Sequence, residues 1–124
     1  MPPLPPFSAH VVSGAGRGRV IGSPTLNLDP ASVPKTFRHG IFACSATWNG
    51  TKHPAVMHFG PRPVFRAGIA CEVHVLEPVR RPPRTVTITL RKRLRSIRNF
   101  PSVDALKRQI AKDIAQARAI LADR

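Results

Sequence analysis

In the stretch Pro24-Thr25-Leu26-Asn27, two oxygen-bearing side chains stand two residues apart. Alternate side chains of an extended segment share a face, so the Thr25 hydroxyl and the Asn27 amide oxygen can point the same way. Both are hard oxygen ligands of the kind Mg²⁺ accepts beside phosphate oxygens and water. Spacing alone favours a second reading: a turn in which both side chains bond their own backbone. Just upstream runs Gly14-Ala15-Gly16-Arg17-Gly18-Arg19. Glycines there would let backbone N–H groups approach an anion, and arginines add bidentate donors. A plain surface loop has the same composition. The stretch lacks the Walker lysine, and no βαβ pattern follows it.

Proton transfer needs a base, and the chain has few acids. Against 20 Lys and Arg stand only six Asp and Glu, for a net charge of +14. A catalytic carboxylate must therefore come from Asp29, Glu72, Glu77, Asp104, Asp113 or Asp123. Glu72 lies within the alternating run Ile69-Ala70-Cys71-Glu72-Val73-His74-Val75-Leu76. Cys71, Val73 and Val75 share one face, and Glu72, His74 and Leu76 the other. Glu72 then faces either solvent or a pocket. In a pocket holding metal and phosphate it could take a hydroxyl proton during phosphoryl transfer.

The elements that must position these residues are short. Ala9 to Gly14 reads as a strand entering the glycine-rich stretch, and residues 15–36 as a long ordered loop, a class that is often functional. Gly40 to Trp48 and His53 to Phe59 read as strands joined by Asn49-Gly50, the strongest short hairpin signal. Thr85 to Leu90 is a half-buried strand with Val86, Ile88 and Leu90 inward. Pro101-Ser102 supplies a break and an N-cap for a closing helix. Its apolar stripe is Val103, Leu106, Ile110, Ile114, Ala117 and Leu121, with Lys107, Arg108, Lys112 and Arg118 on a solvated face. Residues 1–8 form an extended lead and 9–124 a single domain, mainly β: an antiparallel barrel packed by one helix.

The bulk properties narrow the classes. No apolar run approaches the roughly 18 residues of a membrane span, and the proline-rich start has no signal-peptide pattern, so a cytoplasmic protein is expected. Cys44 and Cys71 read as reduced core thiols, and without a CxxC pair a zinc site has little support. The charge favours anionic partners, nucleotides or nucleic acid among them.

Four stretches in chain order carry a resemblance. They are GRGRVIGSPTLNL, GIFACSATWNG with TKHPAVMHFGPRPVF, CEVHVLE, and RKRLRSIRNF with the closing helix. From about Val11 to Leu121 the chain resembles the riboflavin kinase domain of eukaryotic riboflavin kinases and of bacterial FAD synthetases. The resemblance implies a six-stranded Greek-key barrel with a C-terminal helix, transferring the γ-phosphate of ATP to the ribityl 5′-hydroxyl of riboflavin to give FMN. It implies nucleotide and phosphate contacts at Gly16, Arg17, Gly18, Arg19, Pro24, Thr25 and Asn27, with Mg²⁺ held by Thr25 and Asn27. Glu72 would be the general base, and Arg95 and Phe100 would lie on the flavin side. The implied partners are riboflavin and ATP, with no membrane and a monomeric chain.

The sequence also departs from that pattern. Ser23 and Leu26 replace the usual neighbours of the Pro-Thr-x-Asn signature, and His58-Phe59-Gly60 stands for Asn-Ile-Gly. Val64 replaces a Thr, Ile97 an acid, and the chain has no Tyr. A bacterial adenylyltransferase half is not part of the sequence, so FAD synthesis is not expected of it alone. The alternative function is a barrel that no longer catalyses and binds nucleotide, flavin or nucleic acid.

Overall fold

The structure is a computed structural model of the 124-residue chain, and it describes residues 4–12, 24–61 and 68–122. Among the described residues, β1 (Phe7–Val12), β2 (Thr25–Leu28), β3 (Gly40–Trp48), β4 (Thr51–Pro61), β5 (Ile69–Val75) and β6 (Thr85–Arg95) precede one helix, α1 (Val103–Leu121). The strands close into an antiparallel barrel in the order β1-β2-β5-β4-β3-β6. β3, β4 and β5 lie side by side in succession, and β6 returns to the free side of β3, which is a Greek key.

Period-two alternation builds the interior. Phe7, Ala9, Leu26, Leu28, Phe42, Cys44, Met57, Cys71, Val73, Val75, Val86 and Ile88 are buried in one cluster. The Asn49-Gly50 turn has φ of 48° and 76°, the paired positive values of the I′ hairpin that matches strand twist.

Several sequence expectations change, among them the return strand expected over His53 to Phe59, which runs Thr51–Pro61. The long loop expected over residues 15–36 contains β2, followed by a 3₁₀ turn at Pro30–Ser32 that Asp29 caps by accepting from the Ala31 N–H at 3.0 Å. The first strand opens at Phe7, not Ala9, because Phe7 pairs with Ile88 and is buried in the core. β6 runs on from Leu90 to Arg95 through two register shifts against β3, where an extra residue bends the strand.

The helix differs most. Ser102 caps it by accepting from the Ala105 N–H at 3.0 Å, as the sequence requires. Only the second half of its stripe is packed, with Ala117 and Leu121 against Ala43 and Leu76 on the outside of the barrel. Val103, Leu106 and Ile110 are 66%, 37% and 43% exposed. Arg118 is not purely solvated: it donates to the Leu76 carbonyl at 3.0 Å. The firm tether is Arg95, whose guanidinium grips the buried Asp113 carboxylate at 2.9 and 2.8 Å, while Gln109 donates to the same carboxylate. Severing a buried pair leaves one charge uncompensated, so Asp113→Ala is expected to lower unfolding free energy by about 3 kcal/mol, read as a lower urea midpoint.

The thiols give a second expectation. Burial, aided by the Glu72 charge, pushes Cys71 up to about 12; burial, then Cys71, pushes Cys44 higher still. Unfolded thiols ionise near pH 8.5, so above that the folded state holds more protons, and its stability falls as pH rises. Neither thiol should react with a disulfide reagent at pH 8 until denaturant is added, and the urea midpoint should fall between about pH 8 and pH 10.

Candidate active site

The β2–β5 ladder places Thr25 opposite His74 and Asn27 opposite Glu72. Directly opposed residues of an antiparallel pair project to the same side. Leu26, Leu28, Cys71, Val73 and Val75 fill the interior, so Thr25, Asn27, Glu72 and His74 stand together on the outer wall. Thr25 is exposed and the other three are half-buried. The Thr25 hydroxyl shares a hydrogen bond with His74 Nδ1 at 3.3 Å. Burial, and next the nearby charge of Arg118, hold the His74 imidazole below its ordinary value. The Val75 N–H donates to the Pro24 carbonyl at 3.0 Å, extending the pairing beyond Thr25.

This donor set suits a hard cation. Among the described residues no three His, Cys, Asp or Glu side chains converge as a metal cage. Thr25 and Asn27 instead offer one oxygen each, which fits a Mg²⁺-like ion held largely by phosphate and water.

The strand registers join this wall to the far side of the barrel. Asn27 is level with Glu72, Glu72 with His58, His58 with Ile41, and Ile41 with Arg95. One transverse row thus runs from β2 to the end of β6. At its far end the Arg95 and Arg98 guanidinium carbons lie 5.6 and 5.0 Å from the Phe100 ring centroid, within cation–π range. The exposed apolar side chains of Val103, Leu106 and Ile110 begin immediately beyond. Close to the row, Arg93 donates twice to the His39 carbonyl, at 3.2 and 2.8 Å. A Cβ on Gly40 would meet Arg93 Nε at 2.7 Å, so Gly40 permits that approach.

Thr25, Asn27 and Glu72 are therefore brought together, and Arg95 and Phe100 form a second group on the same row. Pro24 adjoins the first group; Gly16, Arg17, Gly18 and Arg19 lie outside the described residues. Sequence reasoning noted His74 only as a neighbour on the Glu72 face, and His58 only as a departure; their strand-mates come from non-local pairing. Ile97, where an acid was expected, lies by Gly60, whose added Cβ would stand 3.2 Å from it.

Comparison with known proteins identifies the family. A family model described as riboflavin kinase (Flavokinase) matches residues 5–121. The chain belongs to the riboflavin kinase family. It is 38% identical, over 90% of its length, to the bifunctional riboflavin kinase/FMN adenylyltransferase of Escherichia coli K12, and 34% identical, over 94%, to that of Pseudomonas fluorescens. It spans only 36% and 38% of those riboflavin kinase relatives. A crystal structure of a macrolide-efflux protein from Streptococcus pneumoniae superposes over 94% of the chain and 38% of its own, with a TM-score of 0.67 and 28% identity. The barrel is thus shared with a solved structure as well as with the riboflavin kinase family. No described helix is long and apolar enough to cross a membrane.

Proposed function

We propose that the chain is a riboflavin kinase, transferring the γ-phosphoryl group of ATP to the ribityl 5′-hydroxyl of riboflavin. Family membership supports the reaction class. The observation that carries the assignment of roles is the transverse row Asn27–Glu72–His58–Ile41–Arg95. Neighbouring strands are about 4.8 Å apart, so Glu72 and Arg95 are separated by about 15 Å along the curved sheet.

In this reading Gly16, Arg17, Gly18, Arg19 and Pro24 contact the nucleotide phosphates, and Thr25 and Asn27 hold a divalent cation, Mg²⁺ by its donor set. When bound, that cation neutralises charge on the β- and γ-phosphate oxygens. Glu72 accepts the proton as the 5′-oxygen forms its bond to the γ-phosphorus. The bond from that phosphorus to the bridging oxygen breaks, ADP departs, and FMN remains. Phe100 and the exposed apolar start of α1 cover the flavin ring. The reading of a barrel that no longer catalyses is not favoured, since Thr25, Asn27 and Glu72 are all present and grouped. It concerns this domain alone and not the adenylyltransferase activity in the relatives' names.

Purified protein given riboflavin and MgATP should form FMN and ADP in equal amounts. Glu72→Gln keeps the shape and removes the base, so kcat should fall by roughly 10²- to 10⁴-fold. Absence of FMN from the unaltered chain, or an unchanged kcat in the variant, defeats the assignment.

A further inference from the structure

We propose that His74 is a positioning residue: its Nδ1 accepts a hydrogen bond from the Thr25 hydroxyl, leaving the oxygen lone pairs of Thr25 free for the metal. The inference rests on the reading of Thr25 as a metal ligand and goes one shell beyond it. A threonine hydroxyl has one proton and two lone pairs. Unless that proton has a fixed acceptor, it competes for the directions in which a cation must be held. The outer wall supplies the acceptor. Thr25 and His74 are cross-strand partners, and their polar atoms are 3.3 Å apart.

The strand neighbour of His74 on the other side is Val56. Arg118 reaches from α1 to the Leu76 carbonyl at the end of β5, bringing a positive charge toward the imidazole. A neutral imidazole whose proton sits on Nε2 leaves a lone pair on Nδ1 for the Thr25 hydroxyl. Partners of this kind orient metal ligands, and losing one typically costs ten- to a hundredfold in metal affinity.

The test measures binding of Mn²⁺·ADP to the full chain by the electron paramagnetic resonance of free Mn²⁺, with no turnover involved. His74→Val keeps a strand-forming side chain and removes the acceptor. His74→Asn places an amide oxygen near the position of Nδ1. Folding of each variant is checked by its urea midpoint. The expected pattern is about tenfold weaker Mn²⁺·ADP binding for His74→Val, recovery for His74→Asn, and no further loss when His74→Val is added to Thr25→Ala. Weak binding in Thr25→Ala with wild-type binding in a folded His74→Val overturns the inference and leaves the kinase reading standing. Equal weakening by His74→Asn and His74→Val also overturns it, since shape rather than acceptance would then be at stake. Unchanged binding in Thr25→Ala removes the metal role of Thr25 itself, and this inference with it.

Discussion

The four-residue strand β2 is held between β1 and β5, and its register decides which side chains the outer wall displays. Leu26 and Leu28 are each 2% exposed, and that burial fixes the phase of the strand. A slip of one residue would turn Thr25 and Asn27 into the core and both leucines into water. Burying two such side chains at about 25 cal/mol per Å² outweighs anything a short exposed polar pair could return. The chemistry on the outside is therefore set by hydrophobic packing on the inside. Leu26, between the two polar residues, is part of that anchor.

A second constraint holds the other end of the row. Two bulges bring β6 past Lys92 and Arg93 to Arg95, and the Arg95–Asp113 pair then fixes α1 against the barrel. The helix is packed only along its second half, leaving an apolar surface beside Phe100. The Thr25–Asn27 group and the Arg95–Phe100 group thus depend on different forces, interior burial for the first and a buried ion pair for the second.

Much of this was legible in the sequence because it is local. The alternation of β5, the Asn49-Gly50 turn and the Ser102 cap each declare themselves within a few residues. β2 was not, because four residues between prolines look like a loop until β5 supplies the partner. The end of β6 was hidden because Arg91-Lys92-Arg93 resembles a charged linker. The helix stripe was visible as a pattern, yet no pattern states how much of a stripe the neighbouring wall is long enough to cover. Thr25, Asn27 and Glu72 could be named from residue type, whereas the bond between Thr25 and His74 spans 49 positions and needs the folded ladder.

Closure of the barrel has a consequence for how the molecule is made. The seam joins Phe7 to Ile88 and Ala9 to Val86, so the first strand cannot find its second neighbour until the sixth has been made. The β3–β4 hairpin can form early, but β1 must wait, and non-local pairing of this kind folds slowly. During that wait its apolar face is unprotected, and the dense positive charge of the chain repels other copies while it lasts. Once shut, every described strand has a neighbour on both sides, which limits the edges on which another chain could add.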